Sequence, residues 1–384
     1  MTDFNVPQWR PRLRESLVVE RDGNELLFIS TSDRRVKRFM ATETILRLVP
    51  LLNGTHTVEE LVESVCGASQ ELASEVGSAL AALREERLLS LTASPDEGLT
   101  KLTPAQVQRY HRQISMFQDL CDSGLVANQT GLGVQDRIRS TSVVILGAGG
   151  LGTIVATALA GAGIGTLVVC DDDVVEESNL TRQFAYSLDD VGQSKVEALA
   201  ARLGRLNPDV VLRPEKRKVL TAADLADLAV PADLVISCAD KPSTLAVADV
   251  VTEACWPDTP HYIGGSYSFH VGLLGFLVIP GLTACWHCLY AQFVSQHGRE
   301  RTVPFVPKAE YGGIVGAQSG IVGNMIAWES IRFLVGMNPT VSSECLEFNY
   351  ATMSFTRAPL VRRPDCPWCV NYPDGPRRPY PRSR

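Results

Sequence analysis

The hydrophobic positions of this chain change rhythm once, near residue 100. Before that point two short β-prone runs, 17–19 and 26–29, flank Asp22-Gly23-Asn24, a turn signal that predicts a hairpin. Helical spacing follows. The run 42–52 stops at Asn53-Gly54, and Thr57 with Glu60 has the capping-box spacing that opens a helix reaching about Cys66. An amphipathic stretch over 69–86 predicts a third helix, and residues 87–91 return to a strand-like pattern. Between 92 and 102, Ser94, Pro95, Asp96 and Gly98 break every period, as a linker does.

Beyond the linker the pattern becomes that of buried parallel strands. Ser142 to Leu146 is a buried-strand run, followed by a turn through Gly147, Gly149, Gly150 and Gly152. A small-residue segment over 153–162 suits a helix lying close on a sheet, and Thr166 to Cys170 suits a second strand ending at Asp171. This is one βαβ unit with a GxGxxG turn. Its glycines let the backbone meet a phosphate at a helix N-terminus, where free N–H groups and the helix dipole favour negative charge. An acidic residue about twenty positions later can accept hydrogen bonds from ribose hydroxyls. Alone, the pattern says nucleotide, and dinucleotide enzymes are its commonest owners. The downstream segments VVEESNLTRQF and GQSKVEAL, and a strand over 234–238 ending near Asp240, change that reading. An Arg, a Lys and a second carboxylate at the carboxyl end of one sheet suit a triphosphate with magnesium.

Composition narrows the class. A length of 384 residues holds two or three domains, and 45% hydrophobic with 21% charged residues is globular rather than disordered. The formal net charge of -7 lacks the basic footprint of a nucleic-acid binder. No apolar run reaches the roughly eighteen residues that span a bilayer, and the amino terminus lacks a signal-peptide core. The expectation is a cytoplasmic protein with neither nucleic acid nor membrane as partner. Four of the ten cysteines form two CxxC pairs, Cys285 with Cys288 and Cys366 with Cys369. Four thiolates complete a tetrahedral Zn²⁺ with no open position, so a structural site is predicted, with His287 not needed as a ligand.

Taken in order from Arg109 to Cys369, the RYHRQI segment, the glycine turn, SNLTRQF, GQSK, Asp240 and the cysteine pairs strongly resemble the ThiF/MoeB/HesA group. These are ATP-dependent adenylating enzymes related to ubiquitin-activating enzymes. The resemblance implies a doubly wound, Rossmann-like α/β nucleotide-binding domain with structural zinc over 95–369. It makes Asp171 the ribose ligand and lets Asp173 hold the turn or the metal shell. Asn179, Arg182 and Gln183 fall on the phosphate-facing segment, where a guanidinium fork suits phosphate oxygens. Lys195 is a compact charge for the α-phosphate, and Asp240 a hard oxygen ligand for Mg²⁺. Arg112 is implied to reach the ATP phosphates across a homodimer interface. Ubiquitin-activating enzymes, and some ThiF relatives, carry an acyl-accepting cysteine in a segment where this chain has none, from 289 to 335. No covalent enzyme intermediate is therefore expected. Lys308, Glu310 and Tyr311 occupy a loop expected to cover the acyl site, ahead of a glycine-rich helix from about Ile314.

The elements of residues 1–94 make a small winged-helix-like α+β domain, and LLNGTHTVEELVESV is similar to PqqD-like peptide recognition elements. An oligomerisation or packing role is the plainer reading of such a module. The whole layout resembles peptide-adenylating maturation enzymes of the microcin C and pantocin type. It implies Mg-ATP-dependent adenylation of a carboxylate on a ribosomally made precursor peptide, with the leader peptide as partner. Two other functions stay open: adenylation of a ubiquitin-like sulfur carrier protein ending in Gly-Gly, and leader-peptide binding without turnover beside an azoline-forming synthetase. The tail 370–384 is rich in Pro and Arg without apolar period, as a flexible end would be.

Overall fold

The computed structural model describes residues 9–67, 69–90, 100–127, 129–297 and 313–371. Most of the predicted linker, the loop with Lys308, Glu310 and Tyr311, and most of the tail lie outside the described residues. The chain divides into two compact units, Met1–Asp136 and Arg137–Arg384.

The first unit opens with a three-stranded antiparallel sheet in the order β1 (Leu17–Asp22), β2 (Glu25–Ser30) and β3 (Val36–Met40). Gly23, at φ +58°, makes the predicted hairpin turn. The sequence pattern did not disclose β3. Its half-buried positions are Lys37 and Phe39, and a lysine at such a position does not read as a core residue. Helix α1 (Glu43–Leu48) stops short of the predicted 42–52. Pro50 has no N–H to donate to an α-helical partner, and the chain tightens into a 3₁₀ turn over Val49–Leu51.

Helix α2 (Val58–Cys66) starts on the predicted capping box. The Thr57 N–H donates to Glu60 Oε2 at 2.7 Å, and the Glu60 N–H to Thr57 Oγ1 at 3.2 Å. Helix α3 (Gln70–Glu85) follows, capped by Ser69. In place of the strand predicted over 87–91, Leu89 makes a single antiparallel bridge to Leu13. Phe28, Leu48, Leu61, Leu80, Leu83 and Leu89 form the buried centre. Two more helices follow, α4 (Pro104–Asp122) within this unit and α5 (Gly131–Ser140) across its boundary. Arg14 reaches α4 with Nη2 2.7 Å and Nε 3.1 Å from Asp119 Oδ1, while its Nη1 donates to the Arg87 carbonyl at 3.1 Å. This pair is shielded from water, so deleting either partner strands the other.

The second unit is built on β4 (Ser142–Leu146), β5 (Thr166–Cys170), β6 (Val211–Glu215), β7 (Leu234–Ser237), β8 (His261–Ile263), β9 (Ser266–Ser268), β10 (Val271–Leu273), β11 (Phe276–Val278), β12 (Glu344–Asn349) and β13 (Ser354–Pro359). Its helices are α6 (Gly150–Ala162), α7 (Lys195–Leu206), α8 (Ala223–Ala229), α9 (Thr244–Cys255), α10 (Trp286–His297) and α11 (Gly316–Val335). The main sheet runs β11-β8-β7-β4-β5-β6, parallel except for β11. From β4 the chain moves outward to β5 and β6, then returns to place β7 on the other side of β4. The carboxyl ends of β4 and β7 therefore flank a topological switch point, where such sheets bind ligands. This is the α/β architecture that the sequence predicts, with a mixed, mainly parallel sheet. A second antiparallel sheet, β13-β12-β10-β9, has no counterpart among the elements that the sequence predicts. Helix α11 lies close on α6 because Gly323 carries no side chain: an added Cβ would stand 2.8 Å from Ile154 Cβ. Among the described residues no helix is long and apolar enough to cross a membrane.

Candidate nucleotide site and cysteine cluster

The glycine turn is dictated by close approach. Gly147 has φ +99°, and a Cβ there would lie 2.9 Å from the Ala239 nitrogen and the Cys238 carbonyl carbon, so the loops after β4 and β7 meet only at a glycine. A Cβ on Gly152 would overlap the Gly147 carbonyl oxygen, and one on Gly150 the Tyr267 hydroxyl. Gly149 differs. An added Cβ would meet nothing within 4 Å, which leaves the approach to this turn open on that side. Helix α6 begins at Gly150, three residues before the predicted 153, so its first N–H groups belong to the turn itself.

Asp171 splints this turn to the next. Its Oδ2 accepts the Ala148 N–H at 2.6 Å and its Oδ1 the Asp173 N–H at 2.8 Å. A carboxylate has about four acceptor sites, so capacity is left for ribose hydroxyls. Tyr186, absent from the sequence reading, is buried with its hydroxyl 2.9 Å from the Ala148 carbonyl and 3.2 Å from that of Lys195. Burial pushes its phenol far up, with Asp171 and Asp190 adding to the effect, so it stays a neutral donor that pins the turn to α7.

Asp173 and Lys195 form the most enclosed ion pair of the site. Lys195 Nζ lies 3.0 Å from Asp173 Oδ2, and the lysine side chain is only 8% exposed. A buried ammonium needs such a counter-charge. Lys241, also missed in the sequence, adds a second ammonium at 3.1 Å from the same oxygen. Burial alone would raise the Asp173 carboxyl, but the hydrogen bonds and charges of Lys195 and Lys241 outweigh it and hold the group below its ordinary value. Arg182 donates from Nη1 to the Ser178 carbonyl at 3.1 Å, and its Cδ passes 3.7 Å from where a Gly150 Cβ would stand. Tyr267, on β9, borders the same spot. Its phenol is raised by burial, which the neighbouring Arg182 partly offsets.

Asn179 works inward, its Oδ1 accepting the Glu176 N–H at 3.1 Å, so it shapes the segment that carries Arg182. Gln183 is buried, and its Oε1 has no hydrogen-bond partner. The structure thus gathers Gly147, Gly149, Gly150, Gly152, Asp171, Asp173, Arg182, Lys195 and Asp240 at the carboxyl ends of the central strands. Arg112 lies exposed on α4, in the other unit.

The acidic groups differ in how far they are committed. Asp171, Asp172 and Asp173 cluster closely enough to share a cation. Yet Asp171 is occupied by backbone donors and Asp173 by two lysines. Asp240, exposed at the end of β7, makes no hydrogen bond or ion pair among the described residues. Its oxygens are the hard, available donors that Mg²⁺ accepts alongside phosphate and water.

The cysteine pairs meet as their spacing requires. Cys285 Sγ lies 3.8 Å from Cys288 Sγ and 3.6 Å from Cys366 Sγ, and Cys288 Sγ lies 3.7 Å from Cys369 Sγ. A tetrahedron with Zn–S bonds of about 2.3 Å sets its sulfurs about 3.8 Å apart, so the four thiols fit zinc. All four are buried, and the Arg363 N–H donates to Cys288 Sγ at 3.3 Å, an outer contact typical of thiolate ligands. His287 is turned away to stack on Trp368, ring centroids 4.9 Å apart.

The profile of the ThiF family matches residues 110–368. The SAMP-activating enzyme E1 of Haloferax volcanii is 33% identical over 269 residues, 70% of this chain and 90% of that protein. The sulfur carrier protein ThiS adenylyltransferase of Escherichia coli is 33% identical over 262 residues, 68% of this chain and 94% of its own length. Among solved structures, Escherichia coli MccB with ATP superposes with a TM-score of 0.69 at 21% identity, covering 94% of this chain and 99% of MccB.

Proposed function

The chain belongs to the ThiF family and is an ATP-dependent adenylyltransferase; on that footing we propose that its acyl substrate is a carboxylate on a ribosomally made precursor peptide. One observation carries this reading. The family match starts at residue 110, whereas the fold of MccB, the microcin C7 biosynthetic enzyme solved with N-formylated MccA, extends over 94% of the chain. In this reading residues 1–94 are a winged-helix-like peptide recognition module and 95–369 the adenylation domain. The sheet of the module offers two edge strands, β1 and β3, and an extended leader peptide can add to an edge as a further strand.

In the reaction the substrate carboxylate attacks the α-phosphorus, pyrophosphate leaves, and an acyl-adenylate forms. The glycine turn and the start of α6 face the phosphates with backbone N–H groups, and Asp171 accepts from the ribose. Arg182 and Lys195 stabilise charge that develops on the phosphoryl oxygens, Lys195 from a position fixed by Asp173. Asn179 and Gln183 support that segment. Asp240 holds Mg²⁺, which neutralises and orients the triphosphate when bound. Cys285, Cys288, Cys366 and Cys369 hold a structural zinc away from the chemistry. We place Arg112 at the phosphates of a second protomer in a homodimer, in a cytoplasmic setting.

A second reading is favoured by the relatives at 33% identity, which are named for a sulfur carrier protein or as a SAMP-activating E1. Its substrate would be the carboxyl-terminal glycine of a ubiquitin-like carrier. Mass spectrometry after incubation with Mg-ATP separates the two. An AMP adduct, or its trapped hydroxamate, on a short precursor peptide encoded beside this chain supports the first reading. Adducts on a Gly-Gly carrier and none on the peptide replace it with the second.

A further inference from the structure

Lys241 sits at the nucleotide site without belonging to any motif of the sequence. It follows Asp240 in the loop after β7, and its Nζ lies 3.1 Å from Asp173 Oδ2 and 3.3 Å from Oδ1. Lys195 Nζ is already 3.0 Å from that Oδ2. One carboxylate therefore carries two ammonium groups, although a single lysine neutralises it. The two lysines are not equivalent. The Lys195 side chain is 8% exposed and that of Lys241 is 78% exposed. An exposed ion pair is worth only about 0–1 kcal/mol, so Lys241 can leave Asp173 at little cost, whereas Lys195 cannot. Asp240 and Asp171 face Lys241 as well, which keeps its charge at this rim.

We propose that Lys241 is a phosphate-binding residue of the adenylation reaction, which exchanges its ion pair with Asp173 for the pyrophosphate end of ATP while Lys195 stays in place. The proposal rests on the adenylation reading of this site. Lys241 is the sequence neighbour of Asp240, the carboxylate available to magnesium, and the two serve the same outer phosphates. When the substrate carboxylate oxygen bonds to the α-phosphorus, the bond from that phosphorus to the bridging oxygen breaks. The electron pair stays on the departing pyrophosphate, and an ammonium beside it stabilises that charge without transferring a proton. A flexible four-carbon stem suits such a role, since it lets one point charge serve two anions in turn.

Titration calorimetry of the full chain with Mg-ATP and with AMP tests this. Loss of a hydrogen bond to a charged group predicts that Lys241→Ala weakens ATP about ten-fold or more. AMP, which lacks the outer phosphates, should bind within about two-fold of the wild type, and Lys241→Arg should recover most of the ATP affinity. An unchanged melting temperature checks that the exposed substitution leaves the fold intact. Equal losses for ATP and AMP would overturn the proposal, because they mean that Lys241 acts by holding Asp173 and Lys195. Unchanged ATP affinity overturns it as well. A wild-type chain that binds neither nucleotide defeats the adenylation reading itself, a different result from either.

Discussion

The nucleotide end of the sheet and the cysteine cluster are both polar sites in one unit, and they are built on opposite rules. Around the glycine turn, Asp240 and Lys241 stand in solvent, Gly149 leaves its side of the turn open, and Gln183 Oε1 is unpartnered. The four cysteines are at most 1% exposed, with their sulfurs turned toward one another. Binding and releasing a nucleotide requires polar groups that are free or easily freed, whereas a site that only holds the fold gains by having none.

The largest effect should come from opening the closed site. Cys366→Ser removes one of four ligands, and a structural zinc contributes on the order of 10 kcal/mol to folding. Metal analysis should find one zinc per wild-type chain, with the variant losing most of its resistance to denaturant while the fraction that folds keeps its specific activity. Metal-free wild-type protein of full stability contradicts this. The open site should respond the other way round. Asp240→Ala should lower ATP–pyrophosphate exchange by about 10² or more with little change in melting temperature, and Lys195→Ala should lower exchange as much while also costing stability, because it breaks the enclosed pair with Asp173. Near-normal exchange in both variants removes them from the phosphate site.

A smaller effect sharpens the contrast through pH. His261, at the start of β8, is fully buried, and burial pushes it down to about 4, with its hydrogen bond to the Thr259 carbonyl opposing only part of the shift. Between about pH 6.5 and that value the unfolded chain binds a proton which the native state refuses, so stability falls as pH falls, by up to about 3 kcal/mol. His261→Leu should flatten that slope in denaturant melts taken from pH 7 to 4. Asp173 has its carboxyl held low, so its contribution is present above its unfolded value of about 3.9 and is lost only in stronger acid. A slope unchanged in the His261 variant assigns the acid sensitivity elsewhere.

Legibility followed the same divide between local and distant causes. The strand–glycine–helix unit, the capping box at Thr57 and the paired cysteines are set by residues within a few positions of one another, and the structure keeps them nearly where the sequence puts them. Lys241 and Tyr186 escaped, because each acquires meaning from a partner 68 or 38 residues away. Strand β3 escaped for another reason. A sheet position filled by Lys37, whose ammonium pairs with Glu86 at 2.5 Å, leaves no mark in the alternation of apolar residues. The second antiparallel sheet joins β9 and β10 to strands more than seventy residues later, again a distant pairing.

In the proposed function an amino-terminal module selects a peptide for the adenylating body. Deleting the module is a poor test, since Arg14 is the buried partner of Asp119 on α4 and its loss would damage the helix. Changing the substrate avoids that. Steady-state adenylation should be measured with the full precursor peptide and with the same peptide cut to its carboxyl-terminal segment. Binding energy from the leader, together with the raised local concentration that tethering provides, predicts a KM at least about ten-fold higher for the cut peptide and a kcat within a few-fold. Equal KM values for the two peptides, or a Gly-Gly carrier protein used in preference to both, would contradict it.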